Sequence, residues 1–415
     1  MKKMFYFFAV ALLFVLFSCT DNYSSTGEYP ALHGQITYFQ EKHELYKTFP
    51  IKKGDIVFVG DDIIDRGIWD QFYGSDKVKN RGIALEGTEC TLFRIKDIAR
   101  KNPSRLFIAT GLYDIKKGCS AKETQERIVQ IVKEAKISSP RTKIYLLSIV
   151  PDRASMKVDG SVADTVKGIN AYLKESFPNK FIDLTEVLCD KDGYIDQAYC
   201  IGGTRINGAG YEIIAKALEP YVGMKALNTV KNDPTHGRYN ELYTGRSAHY
   251  QSRLSIFKTL PNTNQKVIML GNSLTNNCWW NELLGISSSE IINRGISGDT
   301  TDGILDRLDD VVDENPSKLY LLSGVNDLLE EPELTAEELI SKYTKLIEAI
   351  NRELPNTDFY IQSTLPLNPI TKFYPGVNEK VAQLNLFLKD NAVKYGYSYV
   401  DIGTLMMDEK GDLSS

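Results

Sequence analysis

Histidine is the scarcest catalytic residue type in this 415-residue chain: there are four, His33, His43, His236 and His249. None stands at a metal-ligand spacing from another, which argues against a metalloenzyme. Cysteine is nearly as rare, with six residues and no C-x-x-C pair, so neither a zinc site nor a disulfide scaffold is expected. Beyond Cys19 the cysteines are Cys90, Cys119, Cys189, Cys200 and Cys278. Cys189 and Cys200 are left open, as a disulfide outside the cytoplasm or as two buried thiols. Positive charge is not in surplus, with 49 Lys+Arg against 54 Asp+Glu and a net charge of −5. The two signs are mixed along the chain, so nucleic acid is not an expected partner. No low-complexity run occurs, and no cofactor motif is seen.

What is present begins with an apolar run, Met4 to Phe17, behind Lys2-Lys3. The run is shorter than the roughly 20 residues of a spanning helix and has the basic front of an export signal. Leu16-Phe17-Ser18-Cys19 resembles the lipobox of bacterial lipoproteins, which implies lipidation of Cys19 and attachment to a bacterial membrane from the exported side, in the periplasm or at the cell surface. The expected boundaries are a signal at 1–19 and a polar tether at 20–30. The remaining length, 42% hydrophobic and 25% charged, suits two domains.

Those domains are copies of each other. Gly60-Asp61-Asp62, Asn80-Arg81-Gly82 and Gly111-Leu112-Tyr113-Asp114 recur 211 to 213 residues later as Gly271-Asn272-Ser273, Asn293-Arg294-Gly295 and Gly324-Val325-Asn326-Asp327. The lead-in Gln40 to Pro50 recurs as Gln251 to Pro261, and Trp69 as Trp280. So long a period signals tandem domains and not a solenoid. In the second copy, strands are expected at 266–270, 290–293, 318–322, 358–363 and 397–400, with helices at 300–313, 335–353 and 377–394. In the first copy, strands are expected near 55–59, 105–109, 143–148 and 180–182. This alternation predicts two tandem three-layer α/β/α sandwiches with parallel sheets. The first spans 31–223, residues 224–248 form a linker, and the second spans 249–415.

In a parallel sheet, ligands sit beyond the carboxyl ends of the strands. The three motifs of the second copy each follow a strand and so converge on one rim. Their pattern resembles the SGNH (GDSL-type) esterase/lipase family, whose four blocks are named for Ser, Gly, Asn and His. The resemblance implies that Ser273 attacks an ester carbonyl. It also implies that the N–H groups of Ser273 and Gly295 and the amide of Asn326 bind the oxyanion. Preorganised donors of this kind are worth about 2.7–4 kcal/mol each. Asn272 replaces the family's aspartate in the first block. Trp279 and Trp280 are either a sugar-stacking wall or core, and the Trp69 counterpart favours core for Trp280.

The family's fourth block is a D-x-x-H segment before a closing helix. Ile182-Asp183-Leu184 aligns with Val400-Asp401-Ile402, and Asp190–Gly193 with Asp408–Gly411. By that alignment the histidine position is Arg205 in the first copy and falls near position 423 in the second, past Ser415. The second domain is therefore expected to lack its last block and part of the cover of its sheet. His236 and His249 do not align with a strand end.

In the first copy Asp62 takes the serine position, beside Gly82; Tyr113 takes the asparagine position, and Gly202 and Arg205 replace the aspartate and histidine. A carboxylate repels an oxyanion and arginine stays protonated, so this copy is expected to be catalytically dead, with Asp62 and Arg205 facing each other as an ion pair. Together these features point to an exported, lipid-anchored serine ester hydrolase. Its expected partners are an acylated small molecule or glycan and the membrane, and O-acetylated carbohydrate is the substrate the resemblance implies. The alternative is a non-catalytic, lipid-anchored glycan-binding protein. Oligomeric state is not legible.

Overall fold

The computed structural model describes residues 36–158, 161–227, 245–262, 266–368, 374–407 and 413. Side chains are described for these except at 36, 37, 157 and 158. The signal with Cys19, the tether 20–30, His33, His236, most of the linker and Asp408–Gly411 lie outside the described residues. Among those described, the chain divides into a first unit ending at Pro261 and a second beginning at Asn262.

The first unit is built on strands β1 (Ile56–Gly60), β2 (Val78–Gly82), β3 (Arg105–Ala109), β4 (Lys143–Leu147) and β5 (Phe181–Ile182). All pair in parallel, in the order β2-β1-β3-β4-β5. Alternate residues point to opposite faces. Val57, Val59, Leu106, Ile108, Ile144 and Leu146 meet the helices Thr88–Ala99, Ala121–Ser138 and Val162–Ser176. Ile56, Phe58, Phe107 and Leu147 meet the helices Trp69–Tyr73 and Gly208–Val222. With both faces covered, the strands read as continuous apolar runs. A short antiparallel hairpin, β6 (Cys200–Ile201) and β7 (Arg205–Ile206), precedes the closing helix.

The second unit repeats the plan with β8 (Val267–Gly271), β9 (Ile291–Gly295), β10 (Lys318–Leu322), β11 (Asp358–Gln362) and β12 (Ser398–Val400). The parallel order is β12-β11-β10-β8-β9, strand for strand that of the first unit. Helices at 301–313, 336–353 and 377–390 cover one face against Ile268, Leu270, Leu319, Leu321, Phe359 and Ile361. On the opposite face Met269 and Tyr320 are buried, while Tyr360 is half-buried. The α/β sandwich expected for each copy is what forms. The five cysteines among the described residues are free thiols, Cys189 and Cys200 included.

One boundary differs from expectation. The helix Ala248–Thr259, read from sequence as the lead-in of the second domain, packs in the first unit. Ile256 and Leu260 join the core of the first sheet. The Ser252 hydroxyl donates to the Ile206 carbonyl (2.8 Å), and Ser255 Oγ accepts from the Gly208 N–H (2.9 Å). The contact depends on a missing side chain: a Cβ on Gly208 would lie 2.0 Å from Thr259 Oγ1 and 2.3 Å from the Ser255 carbonyl oxygen. Gly208→Ala is expected to destabilise the first unit by about 1–3 kcal/mol through overpacking. Gly168→Ala, in a helix with open space around the new methyl, is expected to be neutral or to stabilise by up to about 1 kcal/mol. Urea midpoints of the two variants against the parent check both.

Candidate active site

The second sheet ends β10, β8 and β9 on one row, with Gly271 in register with Leu322 on one side and Gly295 on the other. Chain direction across the sheet switches between β8 and β10, and ligands bind at such a switch beyond the strand ends. Ser273 stands there. It opens the helix Ser273–Asn276, whose N-cap Asn272 accepts from the Leu274 N–H at 3.1 Å. Only glycine fits at 271, since a Cβ would meet the Leu322 carbonyl oxygen at 2.4 Å and Thr275 Oγ1 at 2.5 Å. Ser273 is half-buried, and its hydroxyl has no hydrogen-bond partner among the described residues.

Gly295 does not serve as an oxyanion donor. Its N–H is taken by Asn293 Oδ1 at 2.8 Å, and a Cβ there would meet the Asn276 N at 2.3 Å. The Asn293 amide donates to the carbonyls of Thr275 (2.7 Å), Asn276 (3.2 Å) and Cys278 (2.8 Å). Asn293 and Gly295 thus dock the serine-bearing helix against β9. An uncommitted backbone N–H lies three residues on, at Gly298. This residue is exposed and left-handed (φ 81), and its N–H has no partner among the described residues. Asn326 lies against the same turn, with one amide N–H donated to the Asp299 carbonyl at 2.8 Å. Its second N–H is not committed to any described group.

A buried arginine fixes this turn. Arg307, fully buried, places Nε 2.8 Å from Asp299 Oδ2 and Nη2 2.9 Å from the Arg294 carbonyl. The turn is also pinned to the helix after β10, because Asp327 accepts from the Thr301 N–H (3.0 Å) and Thr301 Oγ1 (3.1 Å). Burial outweighs these bonds and pushes the Asp327 carboxyl up to about 6. Trp280 is core, its Nε1 donating to the Thr275 carbonyl (3.1 Å) as Trp69 does to Ile64 (2.9 Å), whereas Trp279 is half-buried.

The first unit shows where the turn aims its N–H. Leu85 occupies the place of Gly298 and keeps the left-handed conformation (φ 64) despite its side chain. Its N–H donates to Asp62 Oδ2 at 2.7 Å. Arg94 repeats the clamp, with Nη2 and Nε at 2.7 and 2.9 Å from Glu86 and Nη1 on the Arg81 carbonyl. Gly82, like Gly295, gives its N–H to the asparagine two residues before it, Asn80, at 2.8 Å. Asp62 therefore places an anion on the N–H that this turn presents.

The expected ion pair between Asp62 and Arg205 is not formed. Asp62 pairs with Arg66 one helical turn on, at 2.6 Å to Nη2 and 3.1 Å to Nε. Burial opposes the charge on Asp62, but Arg66 and the Leu85 N–H hold its pKa below the usual carboxylate range. Arg205 instead has its Nη1 3.3 Å from His249 Nδ1. Burial, with Arg205, Arg66 and Arg253 nearby, pushes the His249 pKa well down, so the ring is neutral and its Nδ1 accepts. Tyr113 is half-buried on the same rim, with the Lys117 ammonium 5.2 Å from its ring centre.

On one rim of this parallel sheet stand a serine, a left-handed glycine turn and an asparagine. Residues 269–415 match the model of the GDSL-like Lipase/Acylhydrolase family, and the second unit is a domain of that family. No curated protein matches the chain. Among solved structures, the chain is similar to a GDSL-like lipase from Bacteroides thetaiotaomicron, at 17% identity over 45% of this chain and 97% of that one, TM-score 0.39. It is also similar to a member of the lipolytic protein G-D-S-L family from Veillonella parvula, at 20% identity over 40% and 96%, TM-score 0.33. A mutant of an acetyl-xylooligosaccharide esterase from Geobacillus Stearmophilus is similar at 16% identity over 35% and 80%, TM-score 0.28.

The Asp327 carboxyl gives a pH signature. Its folded pKa, about 6, lies above the ordinary value of 3.8, so the folded state binds the proton more tightly than the unfolded chain. Its stabilising contribution is complete below about pH 4 and is lost as pH rises through about 6. Asp327→Asn is expected to remove that part of the slope, measured as the parent-minus-variant difference in urea midpoint between pH 4 and pH 7.5.

Proposed function

We propose that the second unit is a serine ester hydrolase domain acting on O-acyl groups, with O-acetylated carbohydrate as the substrate class. In this reading Ser273 is the nucleophile, and the Gly298 N–H and Asn326 amide hold the oxyanion. The observation that carries it is the agreement of the two rims: the N–H at position 85, the counterpart of 298, already binds an anion in the first unit. The chain is further proposed to be exported and held at a bacterial membrane through a lipid on Cys19.

A hydroxyl needs a base to become a good nucleophile at neutral pH. No histidine occurs between 262 and 415, and no imidazole or carboxylate is bonded to Ser273 among the described residues. The chain as it stands is therefore expected to hydrolyse an aryl acetate at close to the background rate. Added imidazole, an external base, should restore part of the rate beyond its own reaction with the ester, and Ser273→Ala should abolish that increment. An increment of equal size in Ser273→Ala would remove serine from the mechanism. The unpartnered Ser273 hydroxyl also supports a second reading, a glycan-binding pseudoenzyme. A rate that imidazole leaves at background, together with saturable binding of an acetylated oligosaccharide, would favour it.

A further inference from the structure

The first unit retains a cavity at the place of the lost active site, of about 230 Å³. Its floor and walls are Ile63, Leu85, Ile149, Val150, Ile195 and Tyr211. Six acidic or basic side chains line it: Asp61, Asp62, Arg66, Lys116, Asp152 and Arg205. Two pairs cancel. Asp62 is bound by Arg66, and Lys116 Nζ lies 2.7 Å from Asp152 Oδ2, which sits beside the Asp152 Oδ1 that accepts from Ser155. Asp61 is buried at the helix cap and occupies the position that neutral Asn272 fills in the second unit. Burial, with Asp62 beside it, raises its pKa well above the usual carboxylate value and so disfavours its charged form.

Arg205 is the cation left over. Among the described residues no carboxylate lies within ion-pair distance of it, and its one hydrogen bond is to the neutral ring of His249. That bond holds one end of the guanidinium and leaves the rest of its planar fork uncommitted. A half-buried guanidinium with an apolar wall opposite is suited to a planar anion, which it meets with two parallel N–H bonds. The anion of Asp62 does not compete for it, being already satisfied by Arg66 and the Leu85 N–H.

We propose that this cavity binds a small carboxylate-bearing ligand, held by Arg205 against the apolar wall, without turnover. The proposal is independent of the esterase reading of the second unit, since every residue it uses lies in the first. Binding of glucuronate, acetate, inorganic phosphate and neutral glucose to the chain from residue 20 onward, measured by calorimetry, tests it. Glucuronate and acetate should bind saturably in the millimolar range or below and glucose should not. Arg205→Gln should weaken the carboxylates at least tenfold, and Arg205→Lys, which keeps the charge but not the fork, should fall between. Glucuronate should also slow amide exchange within 62–66 and 204–206, which locates the site and does not depend on any variant folding. The proposal is overturned if neither carboxylate binds, if only phosphate binds, if Arg205→Lys matches the parent, or if exchange is slowed elsewhere and not at these segments.

Discussion

Each site hangs on one fully buried arginine. Arg307 and Arg94 tie the carbonyl at the end of the second strand to an acidic residue just past the following turn, Asp299 or Glu86. Removing one partner from such a pair strands a charge in the interior, at a cost of about 3–5 kcal/mol. The clamp sets the left-handed residue between its two anchor points, and that residue decides which way one backbone N–H faces. Serine and asparagine positions then follow from the parallel register, which brings three strands to a common row. The geometry of the rim is a property of the fold, and the reacting side chains are added to it.

On that shared frame the two units differ at few positions. Serine at 273 against aspartate at 62 exchanges a neutral hydroxyl for a resident anion. The i,i+4 arginine at 66 has Asn277 as its counterpart, so the first site supplies its own countercharge and the second has none. Arginine at 205, the position the sequence alignment assigned to the family's base, is steadied by a histidine that arrives from the helix Ala248–Thr259. The same rim thus leaves a backbone N–H open in one unit and closes it on an ion-paired carboxylate beside a charged cavity in the other.

Much of this was legible in the sequence because repetition marks what periodicity alone leaves vague. Nine of the ten strands in the two parallel sheets lie within a residue or two of the positions read from apolar runs. The missing one, β2, is the polar-looking Val-Lys-Asn-Arg-Gly, which is buried because Asn80 and Arg81 bond to backbone carbonyls. The open N–H at Gly298 was missed for a similar reason: Gly295 is prominent in the repeat because helix packing demands it, while Gly298 pairs with a leucine and so escapes a search for identity. The Asp62–Arg66 spacing was a readable signal for their ion pair. The home of the helix at 248–259 was not readable, because its likeness to 40–50 does not report where it packs, and its docking depends on Gly208 and Ser255 in three dimensions.

Leu85 carries a last consequence. An L-residue held left-handed costs about 1–2 kcal/mol, yet the turn persists there with no oxyanion to serve. Its shape is therefore maintained by folding itself, through residues that never meet a substrate. Catalytic side chains can drift away from such a rim without the rim collapsing behind them, and what is left is a ready-made mould, free to be refitted for a different guest.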